Sequence, residues 1–480
     1  MIPAGSVVTD ALVVVDWAVL AYLAAVTAFS VLLIGASALE LREHLRRVWE
    51  ERHWRLLSSE VAPRLSILAP AFDEEATVAA SVRALLTLQY PNLEVVLVND
   101  GSTDRTLGVL TSEFELQQIH PVHRRVVPHA PIRGLWRSGL FPGLLVVDKE
   151  NGGKADALNA GLNVATGELV CAMDADTLIE QDALLRMVRP FLLGDDVVAA
   201  GGTIRVANGC VVRAGRVVEA RVPRRALPGI QTVEYIRAFL FGRLGWNRLG
   251  GNLIISGAFG LFRRAGVLAV GGYLHGTVGE DMELVARLRR NGVEQGGPHR
   301  VEFIADPVAW TEVPETLRAL GRQRDRWHRG LADVLWRYRS VALRPRYGAF
   351  GLVAYPAFVV VELLAPLVQA AAAPAVVAGV ATGAVDWTFA GLFLLVATGL
   401  GVLVTVAALL LDQAAHSPYR SVSDRLLLLL WAALEPFGYR QLVSIWMLRG
   451  LWRYLRGRTD WGTMTRRGFA IPAGETDSPQ

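Results

Sequence analysis

Two carboxylates that close an apolar run are the first residues in this chain that could do chemistry. Asp174, Ala175 and Asp176 follow the run Leu169 to Met173, so both acids stand at one strand end. Hard oxygen ligands of this kind suit Mg2+ or Mn2+. A cation held there neutralises the charge that develops on a departing diphosphate. Asp-x-Asp triplets are common by chance, and the position after a buried strand gives this one its weight.

Four further clusters carry reactive or binding groups. Asn99, Asp100, Gly101, Ser102, Thr103 and Asp104 end the run Leu93 to Val98, where Gly101 permits a sharp turn and a carboxylate faces the cleft. An ordinary strand-to-helix turn with a capped helix accounts for the same residues. Gly152, Gly153 and Lys154 open the run through Asp156 and Asn159, a glycine pair leading into a helix with Lys at its start. Such a helix start could hold phosphate or a nucleobase. It lacks the spacing of a Walker A loop, which argues against an ATPase. Gly279, Glu280 and Asp281 open the helical pattern Met282, Val285, Leu288. Acids in a first turn also complement the helix dipole. An inverting group transfer nevertheless needs a base for the acceptor hydroxyl, and Asp281 is the candidate. Finally, Gln323, Arg324, Asp325, Arg326 and Trp327 place Gln323 and Trp327 at i and i+4 on one helix face. Trp stacks on sugar rings, and Arg meets pyrophosphate with forked hydrogen bonds. An interfacial helix with snorkelling Arg and Trp is the alternative.

The elements that must position these groups alternate. Leu65 to Pro70 reads as a strand and is followed by a helix through Val78, Val82, Leu85 and Leu86. Leu93 to Val98 reads as a second strand, with a helix through Leu107 and Leu110. Further strands are expected at Gly143 to Val147 and Leu169 to Met173, with the helix Lys154 to Ala165 between them. Such alternation predicts an α/β fold with a parallel sheet and active residues at the strand carboxyl ends. Gln117 to Leu140 shows neither period and reads as a loop insertion. Val211 to Pro228, with Arg213, Arg216, Arg221, Arg224 and Arg225, reads as a face towards phosphate headgroups or substrate, or as a solvated loop.

Around this unit the chain turns apolar. It has 480 residues, 52% of them hydrophobic and 20% charged, so a membrane must be considered first. An uncharged run from Ala18 to Leu39 is long enough to cross the roughly 30 Å hydrocarbon layer. No Lys or Arg precedes Arg42, which argues against a cleaved leader. Arg42, Arg46, Arg47, Arg52 and Arg55 follow, and the positive-inside rule then puts the next domain in the cytoplasm. Apolar runs at about 349 to 373 and 387 to 411 predict a membrane hairpin. A third run from Leu426 to Leu448 contains Glu435, Pro436 and Arg440, which predicts a kinked span, a re-entrant segment or an interfacial helix. The expected organisation is a transmembrane helix at 1–41, a linker at 42–63 and a catalytic domain at 64–312. Interfacial helices follow at 313–346, membrane segments at 347–448 and a basic cytoplasmic tail at 449–480. The net charge of +4 gives no case for nucleic acid, since juxtamembrane Arg clusters facing anionic lipids account for it. The two cysteines, Cys171 and Cys210, have no zinc-ligand spacing and fit a reducing compartment.

Taken in order, the clusters resemble family 2 glycosyltransferases over roughly Leu65 to Gly330, particularly the membrane-integrated synthases of cellulose, hyaluronan, chitin oligosaccharides and poly-N-acetylglucosamine. The resemblance implies the GT-A nucleotide-sugar fold. It implies nucleotide contacts at Asp73, Glu75 and Asp100 and a phosphate or base contact at Lys154. It makes Asp174 and Asp176 the sugar-nucleotide and metal carboxylates and Asp281 the general base, with Glu280 on the acceptor side. Gln323, Arg324, Arg326 and Trp327 match the QxxRW element beside acceptor and diphosphate, and Ser256, Gly257, Ala258 and Phe259 resemble the acceptor loop. This sequence departs from the pattern in having Asp73 where relatives commonly have Asn, and in lacking a Cys in the acceptor loop. Its membrane part is also small for a chain that threads a polymer outward. The implied activity is transfer from a UDP-sugar to a growing β-linked polysaccharide, with Mg2+ or Mn2+, at the cytoplasmic face of a bacterial plasma membrane. The expected partners are that donor, a polysaccharide or lipid acceptor, the bilayer and an export or accessory protein. Single-sugar transfer to a lipid is the alternative, and a non-catalytic membrane scaffold is a third reading.

Overall fold

Short runs form the strands, and in the central ones, rich in Val, Ile and Leu, both faces are covered. In the computed structural model, which describes residues 4–50, 62–120, 124–174, 177–213, 215–383, 387–415 and 417–458, these runs are β1 (Leu65–Ala71), β2 (Leu93–Asp100), β3 (Leu116–Ile119), β4 (Ile132–Ser138), β5 (Leu144–Lys149) and β6 (Leu169–Ala172). They continue as β7 (Leu178–Ile179), β8 (Val197–Val206), β9 (Val211–Arg213), β10 (Arg216–Glu219), β11 (Gly260–Arg263) and β12 (Arg300–Thr311). One ten-stranded sheet has the order β3-β4-β5-β2-β1-β6-β11-β8-β12-β7. Its centre is parallel: β1 pairs with β2 from Leu65 opposite Leu93, and with β6 from Leu65 opposite Leu169. Antiparallel β11 then sits between β6 and β8, so the sheet is mixed rather than all parallel.

Alternation along β1 sends Leu65, Ile67 and Ala69 to one face and Leu68 to the other. The first face packs on Val82 and Leu85 of the helix Val78–Leu86, and the second on Ala157, Leu158 and Ala160 of the helix Lys154–Val164. Leu65, Ile67 and Leu68 are fully buried, each worth roughly 1.5–3 kcal/mol of transfer free energy. Register therefore presents the carboxyl ends of β1, β2, β5 and β6 side by side.

Two stretches without a readable period are structured. Gln117 to Leu140 contains β4 and most of β3, which extend the sheet antiparallel beyond β5. Only Leu135 and Ser138 of β4 are buried, so this flank carries too few apolar positions to show a period of two. Within Val211 to Pro228, β9 and β10 form a separate hairpin, and the helix Ala226–Ile236 begins before the stretch ends. Arg221 pairs with Glu219 at 2.7 Å and Arg225 with Glu315 at 2.7 Å, so two of the five arginines are neutralised within the protein.

Among the described residues, two helical stretches are long and apolar enough to cross a membrane by length and composition. Trp17–Arg46, within the helix Ala4–Glu50, has a mean hydropathy of 2.3 with 11% of its most apolar window buried, and Phe350–Ala381 has a mean hydropathy of 2.0. The helix Trp387–Ala414 follows. The third apolar run breaks where Glu435, Pro436 and Gly438 interrupt it, into Val422–Leu434 and Tyr439–Leu455. At 1.5 Å per residue the first piece reaches only about 20 Å, short of the roughly 30 Å hydrocarbon layer. Ion pairs fasten these helices to the catalytic unit, one of them to the sheet itself. Arg237 holds Glu435 through two bonds of 2.6 and 2.7 Å, Arg440 reaches it at 3.0 Å, and Arg205 at the end of β8 pairs with Asp412 at 2.8 Å. The basic tail from residue 459 and part of the juxtamembrane linker lie outside the described residues.

Candidate active site

The end of β2 builds the first half of the site. Asp100 is buried, and its carboxylate accepts from the N–H groups of Gly152 at 3.0 Å and Gly153 at 2.8 Å while pairing with Lys149. Its oxygens thus hold the glycine turn that starts the Lys154 helix. The turn after β1 laces onto the turn after β2. Asp73, at φ 53, accepts from the Thr103 N–H at 2.7 Å, and Glu75 accepts from the Arg105 N–H at 3.0 Å. Positive φ is tolerated by Asp better than by most side chains.

The second half gathers where β6 ends. Lys154 Nζ lies 2.7 Å from Asp174 Oδ1 and 3.6 Å from Glu280 Oε1. Burial would lower the Lys154 pKa, but Asp174 and Glu280 outweigh it and hold the ammonium above its ordinary value. Burial pushes the Glu280 carboxyl up to about 7, with Lys154 opposing and neighbouring Asp281 adding to the rise. Asp281 is oriented through both oxygens: the Gly257 N–H donates to Oδ2 at 2.9 Å and the Met282 N–H to Oδ1 at 2.8 Å. A side chain at Gly257 would meet Lys154 Nζ at 3.1 Å and Asp281 Oδ2 at 3.2 Å, so any larger residue crowds both charged groups. Lys154, Ser256, Gly257, Tyr273, Glu280 and Asp281 line a cavity of ≈ 10 Å³, about the room for one water.

The Gln323 to Trp327 segment lies in the helix Leu317–Arg337, capped by Thr316. Gln323, Arg324 and Asp325 are buried, whereas Trp327 is 44% exposed. Arg324 pairs with Glu234 at 2.7 Å and lies 4.4 Å from the centre of the Trp327 ring. Asp325 pairs with Arg329 at 2.9 Å and Arg453 at 3.3 Å. Gln323 Oε1 is buried with no hydrogen-bond partner among the described residues. Arg326 is half-buried on the same helix. Farther along, Gly330 meets Gly279 so closely that a side chain on Gly330 would lie 3.1 Å from the Gly279 backbone. This contact sets the helix directly against the residue that precedes Glu280 and Asp281.

The candidate residues therefore fall into three groups. Lys154, Asp174, Ser256, Gly257, Glu280 and Asp281 converge. Asp73, Glu75 and Asp100 form the adjoining turns, and the Gln323 to Trp327 helix abuts from the other side. Ala258 and Phe259 are packed in the core beneath their loop and do not line the cavity. Asp176 lies outside the described residues. Sequence reading missed Lys149, fully buried between Asp100 and Asp156, which it pairs with at 2.6 Å. A lysine closing the strand after the apolar run Leu144 to Val147 was the available signal, because a buried ammonium needs a carboxylate partner. His275 and the Thr277 hydroxyl, which donates to Asp333 at 3.0 Å, were also unanticipated.

A mixed sheet with carboxylates at its strand ends and Lys154 at the helix start among them, beside a QRDRW helix, defines a sugar-transferring class of enzyme. The chain belongs to glycosyltransferase family 2: the model described as Glycosyl transferase family group 2 matches residues 169–410, and that of Glycosyl transferase family 2 matches residues 66–130. It is 28% identical over 274 residues to a poly-beta-1,6-N-acetyl-D-glucosamine synthase of Staphylococcus epidermidis, covering 57% of this chain and 56% of the relative. It is 28% identical over 287 residues to the probable glycosyltransferase YdaM of Bacillus subtilis, covering 59% of each. The match thus spans under two thirds of the length of these relatives. The fold is of the GT-A type. A mannosyltransferase from Pyrobaculum calidifontis, solved in complex with GDP-Man and Mn2+, superposes with a TM-score of 0.51 at 20% identity, over 89% of this chain and 99% of that one.

Proposed function

We propose that this protein transfers a sugar, with inversion, from a UDP-sugar to a growing β-linked polysaccharide at the cytoplasmic face of a membrane. The observation that carries the reading is the Asp281 carboxylate, fixed by the Gly257 N–H next to the Lys154–Asp174 pair. In the transfer the acceptor hydroxyl gives its proton to Asp281 as its oxygen bonds to the anomeric carbon. The bond from that carbon to the diphosphate oxygen breaks, and UDP leaves with the electron pair. Asp73 and Glu75, with Asp100 behind them, form the nucleotide turn. Lys154 meets the phosphates, Ser256 and Gly257 meet the acceptor end, and Trp327 with Gln323, Arg324 and Arg326 borders the acceptor and diphosphate.

A divalent cation fits the donor set by its chemistry, because Asp174 offers hard carboxylate oxygen at a strand end beside the proposed diphosphate position. Asp174 and Asp176 would hold it, and Mg2+ or Mn2+ would supply neutralisation of the leaving diphosphate. The long helix at the amino terminus and the helices after Phe350 support a catalytic unit of residues 64–312 held between membrane segments, as proposed for a bacterial plasma membrane protein with a separate export or accessory partner.

The deciding experiment measures nucleotide release from UDP-sugars, with GDP-mannose as a comparison, by detergent-purified protein with Mg2+ or Mn2+, and sizes the labelled product. A long, glycosidase-sensitive polymer is expected. A single-sugar lipid would replace the acceptor assignment, and no turnover with any donor would leave a scaffold.

A further inference from the structure

The loop from Gly271 to Gly279 delivers Glu280 and Asp281 to the site, and the Lys154 helix clamps it at two points. Asn159 brackets Tyr273: its Nδ2 donates to the Tyr273 carbonyl at 2.9 Å, and its Oδ1 accepts from the Tyr273 N–H at 2.7 Å. One turn earlier, Asp156 Oδ2 lies 2.9 Å from His275 Nε2. Asp156 is buried, accepts from the Ala130 N–H at 2.9 Å, and pairs with Lys149, which also pairs with Asp100. His275 is therefore the last member of an unbroken chain from the turn of Asp100 through Lys149 and Asp156 to the loop before Asp281. Neither Lys149, Asp156 nor His275 lines the cavity beside Asp281.

We infer that His275, acting through Asp156, is a positioning residue that couples the Asp100 turn to the loop carrying Asp281. The inference rests on the sugar-transfer reading for its effect on turnover, but not for the coupling itself. The loop needs such a tether because Gly271, Gly272 and Gly276 have φ of 85, 74 and 76, and glycine-rich backbone has the most conformational freedom to lose. A tether to a buried carboxylate transmits position well, since Asp156 is already held by the Ala130 N–H and by Lys149 before His275 reaches it. Burial alone would raise the Asp156 carboxyl, but its hydrogen bonds from Lys149, Ala130 and His275 hold it below its ordinary value, so it stays an anion. The His275 side chain is 43% exposed, so its replacement opens no hole in the core.

The test compares wild type, His275→Ala and His275→Gln by hydrogen exchange of residues 271–283, by melting temperature, and by kcat and KM for UDP release. In His275→Ala, exchange over 277–283 should rise and kcat should fall about tenfold, as for a mispositioned base, with donor KM and melting temperature held. His275→Gln keeps an N–H donor and should restore both. Unchanged exchange in His275→Ala overturns the coupling whatever the activity. Loosening spread over the whole domain, with a lowered melting temperature that Gln does not restore, also overturns it, because it marks a structural role. If wild type releases no UDP, the sugar-transfer reading fails while the exchange comparison still decides the coupling.

Discussion

The Gly257 N–H and the Asp281 carboxylate form a 2.9 Å hydrogen bond that joins the loop proposed to meet the acceptor to the proposed base. A Cβ on the same glycine would touch both Asp281 and Lys154, so one residue without a side chain leaves room for the base and for the ammonium beside Asp174.

Replacing that glycine should therefore act on chemistry more than on folding. In Gly257→Ala the added methyl group meets Lys154 Nζ and Asp281 Oδ2 at just over 3 Å and must push one of them aside. The displacement needed is a fraction of an ångström, so steady-state UDP release should show kcat down about tenfold, less than the roughly 100-fold cost of a 1 Å misplacement. A kcat within twofold of wild type would remove the orienting role of this bond.

Asp281→Asn keeps the shape but takes away the base, and its single oxygen can accept from only one of the Gly257 and Met282 N–H groups. Polymer synthesis should fall by about 10²–10⁴-fold, while binding of a UDP-sugar, followed by calorimetry, should persist. Full activity in this variant would transfer the base assignment elsewhere.

Glu280 introduces a pH dependence whose sign follows from its raised pKa. Between its ordinary value of 4.5 and about 7 the folded protein keeps a proton that the unfolded chain has released. Stability from this group is then greatest below the ordinary value and declines as pH rises to about 7. Relative to Glu280→Gln, wild type should lose melting temperature across that interval. Parallel curves for the two proteins would contradict the burial of an ionisable Glu280.

The fastening of the carboxyl-terminal helices is tested at Glu435. Glu435→Ala strands Arg237 and Arg440, and breaking a buried pair from one side typically costs about 3–5 kcal/mol. Accelerated proteolysis within 415–458 is the expected readout. The double variant Glu435→Ala with Arg237→Met should recover part of the loss, because only Arg440 is then left without its carboxylate there.

The strands β1, β2, β5 and β6, the helix that starts at Lys154 and the break near Glu435 were all legible in the sequence. Their signals are local: unbroken apolar runs, a change of period, and Gly or Pro at a boundary. The same locality explains the misses. β3 and β4 were hidden because a sparsely buried sheet flank needs few apolar residues. The converging set of Lys154, Asp174, Glu280 and Asp281 could be nominated one by one, since each sits at a strand end or a helix start. Which atoms they meet depended on tertiary structure. The crossover connections bring Gly152 and Gly153 onto Asp100, the antiparallel insertion of β11 next to β6 carries the Gly257 loop to Asp281, and helix packing gives Arg324 to Glu234. A buried charge is stable only with its partner in place, and here the partners are dozens of residues away along the chain. Their choice was made by sheet order and helix packing, which no single stretch of sequence encodes.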